Sequence, residues 1–449
     1  MHSYLHGNPS LIEAVRRLEH LGPDQFELYY LRKTSTQIDC KNQEVDALSR
    51  SEDVGLSIRL IKDRRLGFSF TTSLDKEAIR RAIDSASEIA QIMPEDEHNL
   101  LQSFGSRAYP DVDTLDSRGL QVATEEKIEL ARKLEAECRK TDPRIKAVRK
   151  ASVAEVNYEV HMVDSHGEHL QHQSTLYTAS VTCKSEQDGD SQMGGDFLFS
   201  NYLDNLDVAL CGKRAAENAV EILGAGQAPT MKCPAVLRND VVTELLQFLS
   251  GSFSAEEIDK GRSMLAGKQG TRVFSELVTL VNDGLMPGGL ATSPFDGEGT
   301  PSSKTLLVDG GFFSGALYDG YYAHKHGKTP TGSASRGIKS PPSIGVSNLY
   351  LNPGKKSFAH LHDGISKGIL ITDLMGVHTA NPVTGDFSLG ASGILIENGK
   401  LTRPVRGFAV AGNILEMLRG ITDLGSDLRF FGSVGAPSVR VREISVGGA

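Results

Sequence analysis

Two pairs of histidines stand at i, i+2: His324 and His326 around Lys325, and His360 and His362 around Leu361. On strands, each pair would turn both imidazoles to one face, and four such ligands could hold a metal ion. Their Gly, Lys and Ser neighbours suggest loops instead, where a histidine is exposed or hydrogen-bonded. A second group, His161, His166, His169 and His172, crowds one short stretch. His169 and His172 differ by three, so a strand sends them to opposite faces, and solvated hairpin residues are the expectation. Asp283, Asp296, Glu298 and Asp309 sit among glycines. Carboxylates suit a hard cation, but the spacing of a calcium loop is missing. Turn residues that bond their own backbone account for them more simply. Gly311-Phe312-Phe313-Ser314-Gly315 lacks the Gly-x-Ser-x-Gly spacing of a nucleophile elbow, and no Gly-x-x-x-x-Gly-Lys-Ser/Thr phosphate loop occurs.

The elements that must position these residues follow from periodicity. After Asn8-Pro9-Ser10, the residues Leu11, Ile12, Val15, Leu18 and Leu21 recur at helical spacing. Strand-like runs follow at Phe26–Leu31 and Gly55–Ile61, the second turning at Lys62–Arg65 into Leu66–Phe70 as an antiparallel hairpin. Ser73-Leu74-Asp75 opens a helix with the stripe Ile79, Ala82, Ile83, Ala86, Ile89 and Ala90, and Ser73 falls in its cap region. Residues 93–122 are polar and rich in turn formers, a candidate linker. The next helix begins at Thr124 and turns Ile128, Ala131, Leu134 and Cys138 inward. Strands are predicted at 145–157, 158–164, 168–184 and 189–199, then a helix over Asp204–Leu223. Helix, antiparallel strands, helix thus occurs twice, over 10–92 and 124–223, as a duplicated unit with a period of roughly 110 residues. The texture changes at Gly224–Pro234. The fold class is therefore α+β, with a duplicated helix and antiparallel-sheet domain over 1–225 and a mostly β domain with long loops over 232–449. In the second domain, β runs stand at Thr305–Val308, Gly368–Thr372, Gly393–Ile396 and Ser438–Val446, and helices are confined to about 240–260 and 411–419.

The chain has 449 residues, no Trp and a formal net charge of -9. At roughly 150 residues per domain that length fits two or three domains. The acidic balance offers no footprint for nucleic acid or an anionic membrane. The short basic cluster Lys62-Asp63-Arg64-Arg65 reads as a solvated turn. Five cysteines, Cys40, Cys138, Cys183, Cys211 and Cys233, are odd in number and form no Cys-x-x-Cys. They point to a reducing compartment rather than a disulfide framework. The opening Met1–His6 lacks the basic and apolar regions of a signal peptide, and no apolar run approaches the roughly 18 residues of a membrane span. A cytoplasmic protein without membrane or nucleic-acid partners is the expectation.

Segments of the second half form a more specific pattern. They are Val281-Asn282-Asp283-Gly284, Asp296-Gly297-Glu298-Gly299-Thr300-Pro301, Thr329-Pro330-Thr331-Gly332 with Arg336, and Ser347-Asn348-Leu349-Tyr350-Leu351-Asn352-Pro353-Gly354. Gly393-Ile394-Leu395-Ile396-Glu397-Asn398-Gly399-Lys400, Pro404-Val405-Arg406-Gly407 and the closing Val446-Gly447-Gly448 follow. In this order and spacing they resemble the TldD/PmbA family, once called modulators of DNA gyrase. Asn42-x-Glu44 before Gly55-Leu56-Ser57-Ile58-Arg59 extends the resemblance to nearly the whole chain.

The resemblance implies a two-domain α+β protein that dimerises. In the family's catalytic branch a helix bears His-Glu-x-x-x-His, and a late Cys supplies a third ligand. Two imidazoles and a thiolate leave zinc an open position for water, with the Glu as general base. That His spacing requires the helix to loosen, which a Gly before the second His permits. An ungapped correspondence puts Gln247, Phe248 and Ser252 at the first His, the Glu and the second His, with Gly251 retained. No Cys follows Cys233, and the chain contains no His-Glu dipeptide. This departure matches the PmbA/TldE branch, which in the family pairs with the zinc-bearing branch. The resemblance therefore implies a non-catalytic subunit with no cofactor of its own, zinc being confined to a TldD-like partner. It would form a heterodimer with that partner, a homodimer when alone, and act on unstructured peptides. Extended peptides would add to a sheet edge, with Thr329, Thr331, Arg336, Asn348 and Tyr350 as candidate contacts. The alternative for these five is turn chemistry that only packs the loops. Two rival functions stand beside this one: an autonomous metallopeptidase with its metal moved to the His324/His326 and His360/His362 pairs, and a regulatory binding protein acting on gyrase.

Overall fold

A computed structural model describes residues 9–105 and 107–448, so the opening segment Met1–His6 lies outside the described residues. The N-terminal half contains two units with one element order. The first is α1 (Pro9–Leu21), β1 (Gln25–Lys41), β2 (Glu44–Lys62), β3 (Arg65–Thr71) and α2 (Lys76–Ile92). The second is α3 (Thr124–Thr141), β4 (Ile145–Asp164), β5 (His169–Gln187), β6 (Asp190–Ser200) and α4 (Val208–Glu221). Their strands form one antiparallel sheet in the order β3-β2-β1-β4-β5-β6, the first strands of the two units lying side by side from Glu27↔Asp164 to Cys40↔Ala151.

Local chemistry sets the matching features. The β2–β3 turn places Asp63 and Arg64 at φ 51 and 60, and the β5–β6 turn places Asp188 and Gly189 at φ 49 and 83. Two-residue turns of this handedness suit the twist of a hairpin. The last helix of each unit is capped by an aspartate: Asp75 accepts from Ala78 N at 2.8 Å and Asp207 from Leu210 N at 3.0 Å. The cap of α2 is thus Asp75 rather than Ser73. The β1–β2 turn, with Asn42 and Gln43 at φ 54 and 63, is held from α3, where buried Glu135 accepts from both backbone N–H groups at 2.8 and 2.7 Å.

Two sequence expectations are corrected here. The stretch predicted as strands 145–157 and 158–164 is one strand, β4, paired without interruption to β1. The predicted linker 93–122 is a packed strap. Leu101, Phe104, Thr114 and Asp116 are buried in it. Phe104 N donates to Asp164 Oδ2 at 2.8 Å, and Tyr109 OH donates to Gly299 O at 2.9 Å. The strap therefore fastens the N-terminal sheet to the C-terminal half.

The C-terminal half contains two further six-stranded sheets. One has the order Phe312–Phe313, Lys304–Asp309, Leu280–Asp283, Asn348–Leu351, Val434–Ala436, Arg429–Phe431. The other has the order Lys400–Asn413, Asp386–Glu397, Lys367–Met375, Met231–Leu237, Val439–Gly447, Ile421–Leu424. It closes on itself where Ala409–Ala411 pair with Ser445–Gly447, so five strands form a barrel. The largest apolar core lies between the barrel and the other sheet and includes Leu245, Leu249, Phe253, Phe274, Phe313 and Val439. The helices are α5 (Asn239–Ser250), α6 (Ala255–Asp259), α7 (Gly320–His326) and α8 (Ile414–Arg419). α7 was not expected. Asp319 caps it by accepting from Tyr322 N at 2.8 Å, and Gly327 ends it at φ 61.

Candidate functional site

α5 carries the positions that matter most to the zinc question. It follows the barrel strand Met231–Leu237 and buries Val241, Val242, Leu245, Leu246 and Leu249, a helical stripe on the main core. Asp240, Glu244 and Gln247 recur at i, i+4, i+7 on the other side. Ser250 Oγ donates to Gln247 O at 2.6 Å, and the chain then tightens into a 3-10 turn over Gly251–Phe253. Gly251 marks this change of pitch while keeping right-handed backbone, φ -60 and ψ -28. Gln247 is exposed, Phe248 packs half-buried against the core, and Ser252 is buried, its carbonyl accepting from Ser263 Oγ at 2.7 Å. An amide, a phenyl ring and an enclosed hydroxyl are not the nitrogen, thiolate or carboxylate donors that zinc takes. The residues present therefore do not fit the zinc ion that the family's catalytic branch holds through its His-Glu-x-x-x-His motif. One turn before Gln247, partial burial and then the charges of Asp373 and Asp240 push the Glu244 carboxyl up to about 7.

The histidines separate. His324 and His326 lie in the last turn of α7, where i, i+2 positions point apart. His324 packs edge-on to His98 with centroids 5.6 Å apart, and His326 Nε2 lies 2.8 Å from Asp259 Oδ1. His360 Nδ1 is 2.6 Å from Ser357 Oγ, and His362 Nδ1 donates to Gly399 O at 2.7 Å. Among the described residues no three His, Cys, Asp or Glu side chains are grouped to hold a metal ion. In the other histidine group only His166 is exposed. His161 is buried, with Nδ1 2.9 Å from His169 Nε2 and Nε2 2.9 Å from Glu159 Oε1. The solvated-hairpin expectation therefore fails for His161, His169 and His172: His172 lies against Phe295 of the C-terminal half and Thr114 of the strap, while on the opposite face His161 and His169 pair with one another beside Tyr30.

Of the five candidate peptide contacts, two are committed inside the protein. The Arg336 side chain is 1% exposed. Its Nη1 meets Glu27 Oε1, its Nη2 donates to Ser57 Oγ at 2.8 Å, and its guanidinium lies 4.4 Å from the Tyr29 ring centroid. Arg59 sits directly across from Glu27 in the β1–β2 ladder. It binds Glu27 Oε2 at 2.6 Å and Glu298 Oε1 at 2.9 Å. Glu298 Oε2 also accepts from Gly320 N at 2.7 Å. Burial opposes ionisation of Glu27, but Arg59 and Arg336 hold its carboxyl below the usual range. Two arginines and two glutamates thus join the N-terminal sheet to the C-terminal loops. Asn348 is fully buried: its Nδ2 donates to Asp283 O at 2.8 Å and its Oδ1 accepts from Ala291 N at 2.9 Å. Thr331 Oγ1 accepts from Tyr318 N at 2.9 Å. Thr329 is exposed, and Tyr350 is half-buried with its ring 5.8 Å from Phe430. The acidic residues among glycines are turn chemistry in part: Asp296 Oδ1 accepts from Glu298 N and Thr300 N at 2.9 and 3.0 Å.

A feature that the sequence did not single out is a cleft of about 650 Å³ between the second N-terminal unit and the start of α5. Phe197, Phe431, Arg214 and Asn239 line it with the pair Asp196–Arg429, whose Oδ1 and Nη2 are 2.6 Å apart. Phe197 and Phe431 meet edge-on at 6.1 Å, with Arg429 stacked 4.4 Å from the Phe431 centroid. The signal available was Arg429-Phe430-Phe431, an aromatic pair beside a cation in a glycine-rich stretch.

Comparison with known proteins agrees along the chain. Three family models match in order: PmbA/TldA metallopeptidase domain 1 over residues 26–90, the central domain over 118–223 and the C-terminal domain over 230–448. Metalloprotease PmbA of Escherichia coli O157:H7 is 26% identical over 429 residues, 95% of this chain and 92% of that protein. The metalloprotease TldD homolog of Haemophilus influenzae is 25% identical over 475 residues, 98% and 96% of the two. The crystal structure of TldE from Thermococcus kodakarensis matches with a TM-score of 0.89 at 25% identity, covering 98% of this chain and all 100% of that one. By sequence, domain order and fold, the chain belongs to the PmbA/TldD family.

Proposed function

We propose that this chain is the zinc-free subunit of a two-chain peptidase. It pairs with a zinc-bearing relative of the TldD type, and the pair cleaves unstructured peptides. One observation carries the reading: Gln247 and Phe248 on α5 and Ser252 in the turn after it, the residues that an ungapped correspondence aligns with the zinc motif, are divided between solvent, half-buried packing and the interior. A TldD homolog alignable over 98% of this chain supports a partner of the same architecture. The cleft beside α5, with its aromatic and charged walls, suits a peptide backbone and side chains. The five cysteines are free, buried thiols, which supports placing the pair in the reducing cytoplasm. Among the described residues no helix is long and apolar enough to cross a membrane.

Elemental analysis of the dialysed protein should find well under one zinc per chain. A tagged copy expressed in its own cell should co-purify with a relative that contains His-Glu-x-x-x-His. About one tightly held zinc per chain would overturn the reading.

A further inference from the structure

Among the charged side chains that line the cleft beside α5, one makes no hydrogen bond or ion pair with any described residue: Arg214 of α4, which is half-buried. The others are engaged. Arg238 binds Glu221 and Asp240, each at 2.7 Å. Asp427 accepts from Ser438 N and Oγ at 3.0 and 2.7 Å, and Glu217 lies 3.7 Å from Lys213. Arg429 and Asp196 hold each other. A guanidinium carries only donors, so Arg214 presents its whole fork to the cleft without an acceptor. The fold aims it there. Arg214 and Asn218 stand one turn apart on α4 and share a face. Asn218 Nδ2 donates to Gly195 O at 3.0 Å, which lays that face over β6 beside Asp196. Burial pushes the Asp196 carboxyl up, against the opposing charges of Arg429 and Arg214, so both arginines act on one point.

We propose that this cleft captures the C-terminal end of an extended peptide. Arg214 and the unused edge of Arg429 take the carboxylate, and Phe197, Phe358 and Phe431 hold an apolar or aromatic last side chain. Arg429 is fixed before a ligand arrives. It reaches Asp196 Oδ1 at 2.6 Å and Phe197 O at 3.1 Å through Nη2 alone, and it lies 4.4 Å from the Phe431 centroid. Its Nη1 bonds no described residue. A pre-ordered fork loses little freedom on binding, and charge-assisted bonds from guanidinium to carboxylate are strong. The start of α5 has no side-chain cap, so its N-terminal dipole adds to the attraction for an anion. Phe197 is 37% exposed, and Phe358 and Phe431 are half-buried, which leaves aromatic surface for the ligand's side chain. A peptide end suits the walls better than an inorganic anion. Asp196 is 4% exposed at its side chain, and its Oδ2 has no donor. Sulfate brings only acceptors to that oxygen, whereas the last residue of a peptide carries an N–H one carbon away from its carboxylate. The volume of the cleft lies within the range of roughly 300–1,000 Å³ that small-ligand sites occupy. The inference takes from the peptidase reading only that the ligand is a peptide.

The probe is a tetrapeptide of three alanines and a C-terminal phenylalanine, titrated into the whole chain by calorimetry. The free acid should bind with a Kd of roughly 0.1–1 mM. Its C-terminal amide should bind about tenfold more weakly, and so should the free acid to Arg214→Gln. Arg214 has no partner in the fold, so this variant should keep the urea midpoint of the unmodified chain. Arg64→Gln, at the β2–β3 turn on the opposite edge of the sheet, removes the same charge and should bind as the unmodified chain does. No heat up to about 10 mM peptide overturns the proposal. So does equal affinity for acid and amide, or an equal loss in Arg64→Gln. Full displacement by sulfate at the peptide's own concentration would make the cleft a general anion site, and tighter binding of free phenylalanine would make it an amino-acid site; either result overturns capture of a peptide end. If capture fails while a mixture with the zinc-bearing relative still cleaves, this inference alone falls. If capture holds while the mixture does not cleave, the peptidase reading falls and this one stands.

Discussion

His169 and His172 occupy opposite faces of β5, and both are held neutral by their surroundings. Burial pushes each imidazole down from 6.5 to about 4, and for His169 the neighbouring His161 adds to the effect. Between those two values the unfolded chain holds a proton that the folded chain refuses. The contribution to stability is therefore complete above 6.5 and is lost as the pH falls through about 4. His172 is the cleaner probe, since burial alone moves it and its Nε2 is 3.4 Å from Thr114 Oγ1. His172→Gln keeps a polar group and removes the titration. From roughly pH 7 to roughly pH 4.5 the unmodified protein should lose about 2 kcal/mol more than the variant, measured by urea unfolding at both values. Equal losses would show that His172 is solvated after all. The sequence pattern showed that strand spacing separates His169 from His172. It could not show the strap and loops that cover the sheet, because these arrive from distant parts of the chain.

At the scale of elements, the Glu27–Arg59–Glu298–Arg336 cluster joins β1 and β2 to the loops after Asp296 and Ala334. Removing one partner of a buried ion pair strands the other charge, which costs about 3–5 kcal/mol. Arg336→Ala should therefore unfold earlier in urea by about that amount, while Glu27→Gln with Arg336→Met together should cost less than the sum of the single changes. A change below about 1 kcal/mol for Arg336→Ala would show that the cluster does not bind the domains. Half of this cluster was legible. Glu27 and Arg59 are lone charges inside the apolar runs Phe26–Leu31 and Gly55–Ile61, a sign of buried pairing. The other half was not, since Arg336 lies 309 residues from Glu27. α7 was legible in principle, with an aspartate cap at Asp319 and a terminating Gly327. Its short aromatic and histidine-rich body gave no apolar stripe to notice. β4 looked broken because Ala154–Val160 are half-buried along its middle, so the alternation that marks a one-sided strand fades there.

For the whole molecule, the family pattern was readable because its segments are turns and strand ends whose chemistry is local. The interdomain cleft was not, because its walls come from β6, α4, the start of α5 and the strand Arg429–Phe431. The proposed division of labour places the zinc chemistry in the partner and leaves this chain to complete the assembly. Alone, the chain should leave a disordered peptide intact: Gln247 is a poor base near neutral pH, and Phe248 accepts no proton. Mixed with a zinc-bearing relative, it should support cleavage that a chelator abolishes. Gln247→Ala in this chain should keep that rate within about twofold, since an exposed amide with no assigned chemistry contributes little to the barrier. Arg429→Gln should instead raise KM more than it lowers kcat, because the change removes a guanidinium from the cleft wall while leaving the reacting groups in the partner. Mass spectrometry of the peptide products, before and after a second purification of this chain, gives the decisive comparison. Chelator-sensitive cleavage that stays with the chain through that step would assign it a metal site of its own. A strong loss of the mixture's activity on Gln247→Ala would bring the exposed face of α5 back into the working site.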